Sequence, residues 1–118
     1  MSGRASITTL ARHEGSTVRL GVVGELDLLT GPQLGSVVGR CLDWRPARLA
    51  TDVSAVSFCD AAGLTALVSA REASLQAGTH FVLTGIRPTL RRLLAVTSLE
   101  GAFDIERQHG AISPGSAP

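Results

Sequence analysis

The stretch from Thr17 to Val53 constrains the fold more than any other part of the chain. Val18, Leu20 and Val22 alternate with Arg19, Gly21 and Val23, the period of two that sets one face of a strand on a core. This predicts a strand running to about Leu26. Thr30 then precedes Gly31 and Pro32, a threonine cap followed by proline near the first helical position. Leu34, Val37, Val38, Cys41 and Leu42 follow at helical spacing, one apolar stripe that stops before Trp44-Arg45-Pro46. Ala47 to Val53 reads as the next strand. Strand, helix and strand in this order favour a parallel pair with a right-handed crossover, because parallel neighbours need a long connection.

The flanks add elements of both kinds. Ser6 to Arg12 predicts a strand, and His13-Glu14-Gly15-Ser16 a turn in which glycine can take a positive φ, so a hairpin opens the chain and the sheet is mixed. Asp60 is placed to cap a helix from Ala61 to Gln76, with Leu64, Leu67, Val68 and Leu75 on one side and Gly78 as its stop. Ala66, Ala70, Ala73 and Ala77 would let this helix lie close to a neighbour. His80 to Thr84 predicts another strand, Pro88 opens a helix carrying Leu90, Leu93 and Leu94, and Phe103-Asp104-Ile105 a short last strand. The expected organisation is a single α/β domain over residues 1–107 and a flexible Gly/Pro/Ser/Ala tail over 108–118.

Composition excludes several classes of function. The 118 residues, 44% of them hydrophobic, suffice for one core but not two. Eleven basic against ten acidic residues leave a formal charge of +1, without the basic excess that binding a nucleic-acid backbone requires. No run approaches the roughly 18 apolar residues of a membrane span, and the start Met1-Ser2-Gly3-Arg4 lacks a secretory apolar region, so a soluble cytoplasmic protein is expected. All the basic side chains counted are arginine and tyrosine is absent, a composition of GC-rich bacterial type.

Catalytic patterns are missing. There is no G-x-x-x-x-G-K-[ST] phosphate loop, no H-E-x-x-H and no G-x-S-x-G elbow. His13, His80 and His109 fall at a turn, a strand start and the tail, where solvated histidines are expected. An enzyme would have to use carboxylates near Asp27 and Asp60 without a base, nucleophile or metal beside them. Cys41 and Cys59 lack zinc-site spacing. They are expected at opposite ends of a strand of roughly seven residues, about 23 Å long and far beyond the 7 Å limit for a disulfide. No metal and no cofactor is expected.

Two segments carry more information when read together: Gly24-Glu25-Leu26-Asp27-Leu28-Leu29-Thr30, and Val53-Ser54-Ala55-Val56-Ser57-Phe58-Cys59-Asp60-Ala61-Ala62-Gly63-Leu64. The first resembles the Gly-Glu-Leu-Asp strand end of the STAS family. The second resembles that family's strand, loop and Asp-Ser-Ser-Gly-Leu helix start. The resemblance runs from about Ser6 to Glu106 and takes in Arg87-Pro88-Thr89-Leu90-Arg91-Arg92-Leu93-Leu94. It implies a STAS-like α/β domain with a mixed sheet of four to five strands and helices mainly on one face. It also implies a non-catalytic regulator, an anti-sigma-factor antagonist. The implied partner is an anti-sigma factor that is a serine kinase of histidine-kinase-like ATPase fold, and binding frees the sigma factor. A monomer or weak homodimer is expected. A STAS-like domain that senses a small ligand or serves as a scaffold is the alternative.

In the family, phosphorylation of the serine directly after the motif aspartate controls binding. Carried over, that position is Ala61, and Ala62 replaces the neighbouring serine. Alanine has no hydroxyl, so this switch is absent and the chain keeps the charge of the unmodified form. The implied contact surface comprises Asp27, Thr30, Ser57, Cys59, Asp60, Ala61, Ala62, Gly63 and Leu64. Structural roles compete with it: Asp60 as an N-cap bonded to the amide of Ala62 or Gly63, Asp27 as a turn acceptor or solvated acid, and Thr30 as a cap. Gly63, unfavourable in a first helical turn, suggests close approach by another segment or a partner. Ser57 and Thr65 retain hydroxyls nearby. Arg87, Arg91 and Arg92 form a basic patch at the third helix, and Trp44 is expected at the domain edge.

Overall fold

The hairpin that opens the chain turns on Gly15, whose φ of +64° lies in the left-handed region that glycine enters without a Cβ penalty. It joins β1 (Ile7–Glu14) to β2 (Thr17–Leu26) in an antiparallel pair. The structure, a computed structural model, describes residues 6–106; the expected tail and His109 lie outside them. After β2 come α1 (Gly31–Leu42), β3 (Arg48–Cys59), α2 (Ala61–Gln76), β4 (His80–Thr84) and α3 (Pro88–Val96). A short 3-10 turn (Glu100–Ala102) leads into β5 (Asp104–Glu106). The five strands form one sheet in the order β1-β2-β3-β4-β5, antiparallel at the first pair and parallel at the other three.

Alternate residues of the inner strands, Val18, Leu20 and Val22 of β2, Leu49 and Val53 of β3, Phe81 and Leu83 of β4, face the helices. There they join Leu34, Val37, Val38 and Cys41 of α1, Leu64, Leu67 and Ala70 of α2, and Leu90 and Leu94 of α3 in one core. All three helices therefore cover the same face. The residues that alternate with these strand positions carry charge on the other face. Arg19 Nε lies 2.8 Å from Glu14, Arg19 also reaches Glu106 at 3.6 Å, and Arg48 pairs with Glu106. The Arg19 guanidinium hydrogen-bonded to Glu14 holds that carboxyl below its ordinary range.

Three expectations are corrected. The third strand does not end at Val53. Its partner β2 continues beside it, and backbone pairing carries β3 to Cys59 through two register shifts, although the side chains beyond Val53 show no apolar alternation. On α2 the buried face is Gly63, Leu64, Leu67, Ala70 and Ser74, whereas Leu75 is exposed, rotated off the face that buries the adjacent Ser74. His80 is exposed, the solvated position expected of it, and its Nε2 lies 2.6 Å from an Asp104 carboxylate oxygen across the β4–β5 edge. Thr30, expected to cap α1 with its side chain, makes no capping bond. Trp44 is exposed, edge-on to His13 with ring centroids 4.4 Å apart.

Candidate functional site

Two connections meet at the end of the sheet where β2 and β3 finish. The first is built around Asp27. Its Oδ1 accepts the Leu29 amide at 2.9 Å and the Thr30 amide at 3.1 Å, the local turn for which an aspartate side chain is suited. The Thr30 hydroxyl donates to the Glu25 carbonyl at 2.8 Å and accepts the Asp27 amide at 2.9 Å. Already committed inside the loop, that hydroxyl has no geometry left to cap the helix. Thr30 is fully buried, so it shapes this surface from beneath and offers no side chain to a partner. The turn pushes Leu28 and Leu29 outward, 75% and 66% exposed, so that two adjacent leucines stand on the surface of this loop.

The second connection is the start of α2. Asp60 takes an extended conformation and its Oδ1 accepts the Gly63 amide at 2.9 Å, an N-cap bond. The Asp60 amide donates to the Leu26 carbonyl at 3.4 Å, tying the two connections together. Gly63 and Leu64 are buried against the end of β2, and Cys59 and Asp60 are half-buried. Ala61 is exposed at the first helical position, with Ala62 half-buried beside it. Burial first, and the Asp60 charge second, push the Cys59 thiol up to about 11, so it is a neutral packing group at neutral pH. Both cysteines are free.

Of the nine residues singled out in the sequence, the fold brings all to this end of the domain but divides them by role. Asp27, Ser57, Asp60, Ala61 and Ala62 reach the surface, Cys59 is half-buried as a packing group, and Thr30, Gly63 and Leu64 are internal. A groove of about 340 Å³, open to solvent, runs between the Asp27 loop with the start of α1 and the Ala62, Thr65 and Ala66 face of α2. Leu28 lines it and Leu29 is exposed next to Leu28, while Phe58 (47% exposed) lies at the end of β3; none of the three was singled out individually. A leucine pair inside a strand-to-helix loop was the available signal. The two hydroxyls near Ala61 are engaged, Thr65 with the Ala61 carbonyl at 3.0 Å and Ser57 with the Gly24 carbonyl at 3.3 Å. Among the described residues no three of His, Cys, Asp and Glu gather into a metal-binding group, and no helix is long and apolar enough to cross a membrane.

The sequence and the fold both have known relatives. The STAS domain family profile matches residues 9–112. The anti-sigma-F factor antagonist RsfB of Mycobacterium tuberculosis is 40% identical over 104 residues, which make up 87% of this chain and 84% of that protein. An anti-sigma-B factor antagonist of Listeria monocytogenes is 28% identical over 96 residues, 81% of this chain and 84% of that protein. A crystal structure of an anti-sigma factor antagonist from Mycobacterium paratuberculosis superposes with a TM-score of 0.75 at 30% identity, covering 89% of each chain. The chain belongs to the STAS domain family. Its five-stranded mixed sheet with three helices is the α/β fold of that family.

Proposed function

We propose that this protein is a cytoplasmic anti-sigma-factor antagonist, a non-catalytic binding module that engages a serine-kinase anti-sigma factor of histidine-kinase-like ATPase fold and so frees a sigma factor. The observation that carries the reading is the position of Ala61: exposed, at the first turn of a helix capped by Asp60, and beside the Asp27 loop with its outward leucines. The contact surface is Asp27, Leu28 and Leu29 with Ser57 to Ala62; Thr30, Gly63 and Leu64 hold it in shape. A kinase partner meeting this surface finds a methyl group at the acceptor position, and a methyl group accepts no phosphate. Binding is therefore constitutive and is limited by the amount of protein or by competition with phosphorylatable relatives.

Affinity capture from the native bacterial lysate, with and without ATP, tests this. Recovery of an ATPase-fold anti-sigma factor in both conditions, with the bait unphosphorylated, is the expected result. Recovery of no such protein, together with a ligand-dependent rise in thermal stability, would shift the reading to a small-ligand sensor using the groove between α1 and α2.

A further inference from the structure

The β3 strand is paired on both edges only over its first part. β4 accompanies it from Arg48 to Asp52 and then ends, while β2 stays paired with the other edge to Cys59. Val53–Cys59 thus has no strand on this edge. Ser54 is already satisfied there, its amide by Asp52 Oδ1 at 2.9 Å, which leaves 55–59 as the open part. A cleft of about 320 Å³ runs along the segment, closed on the far side by Arg87, Thr89 and Leu90 at the start of α3. One group already fills the role of a missing neighbour: Arg87 donates from its guanidinium to the Ser54 carbonyl at 3.2 Å, just beyond the last β4 pair. Free edges of this kind in stable proteins are covered, charged or used.

The charge on the cleft and on the helix beside it points to its occupant: Arg87 lines the cleft, and Arg91 and Arg92 follow it on α3. Arg87, Arg91 and Arg92 are exposed at the start of α3, and none of them has a carboxylate partner among the described residues. The nearby acids are already bonded to backbone amides, Asp52 to Ser54 and Asp60 to Gly63. Phe58 adds apolar surface at one end. We propose that this edge is a second docking surface, which takes an extended acidic segment of a partner protein as an added strand, its carboxylates on the arginines and its backbone on β3. The cleft shares Ser57, Phe58 and Cys59 with the antagonist surface but does not use Ala61 or the Asp27 loop, so its failure would leave the antagonist reading standing.

The test uses the full chain, isotopically labelled, and three blocked heptapeptides: Val-Glu-Val-Glu-Val-Glu-Val, its lysine counterpart, and a backbone N-methylated glutamate version. The glutamate peptide should shift and protect amides within 55–59, with at least about tenfold weaker binding for the lysine peptide and for the N-methylated one. Binding should fall comparably in an Arg91→Glu/Arg92→Glu double variant, whose thermal unfolding confirms folding. Equal binding of the N-methylated peptide would reduce the effect to charge alone and overturn strand addition. Absence of shifts in 55–59 at millimolar peptide would overturn the proposal, as would finding those amides already protected in the free chain or an edge-to-edge dimer by sedimentation.

Discussion

A methyl group placed on the Cα of Gly63 would sit 2.1 Å from the Leu26 carbonyl oxygen. The first turn of α2 and the end of β2 are in backbone contact there, and the Asp60 amide bonds to the same carbonyl. This contact fixes the position of Ala61 relative to the Asp27 loop. The backbone of β2 cannot yield without breaking its pairing with β3, so a side chain at position 63 must displace the helix.

Gly63→Ala is accordingly expected to cost about 3 kcal/mol, the upper part of the range for overpacking a buried site. Gly35→Ala, on the exposed side of α1 with nothing within 4 Å of a new Cβ, should stabilise by roughly 0.5–1 kcal/mol through helix propensity. Urea unfolding of the two variants checks both signs; a neutral Gly63→Ala would disprove the contact.

Thr30 tests how the Asp27 loop is held. Thr30→Val keeps the shape but strands the Glu25 carbonyl and the Asp27 amide, at a cost of about 1–3 kcal/mol. Amide exchange at Asp27 should accelerate in Thr30→Val and remain slow in Thr30→Ser, which retains the hydroxyl.

Alkaline stability should report on Cys59. Its thiol is raised from 9.0 to about 11 in the fold, so as pH rises the unfolded chain loses this proton first. The contribution is intact below about pH 9 and is lost as pH climbs towards about 11. Denaturation midpoints measured across this window should fall less steeply in Cys59→Ala, and iodoacetamide should alkylate native Cys59 at pH 8 far more slowly than the urea-unfolded chain.

Those parts of the fold with a periodic or chemical signature were legible in the sequence. Helix α2 begins after Asp60 and ends at Gln76 as its cap and stop predict, and β4 spans His80–Thr84. Gly63 announced a close approach through its poor helix propensity, although only the fold identifies Leu26 as the neighbour. The second half of β3 was hidden, because its pairing is made by backbone groups and its side chains follow no period of two once the register shifts. The role of Thr30 was misread for a related reason. A threonine before Gly-Pro looks the same whether its hydroxyl turns forward to the helix or back to Glu25, and the preceding aspartate decides it by taking the turn amides itself. The outward leucines followed from that turn.

The central claim is that Ala61 makes partner binding insensitive to ATP. The most direct measurement titrates the captured anti-sigma factor with the wild-type chain, Ala61→Ser and Ala61→Asp, each before and after incubation with ATP and magnesium. The account predicts unchanged wild-type affinity in both conditions, ATP-dependent loss for Ala61→Ser, and at least about tenfold weaker binding for Ala61→Asp throughout, since a carboxylate mimics part of the charge a phosphate would bring. Loss of wild-type binding after ATP, or full affinity in Ala61→Asp, would contradict it.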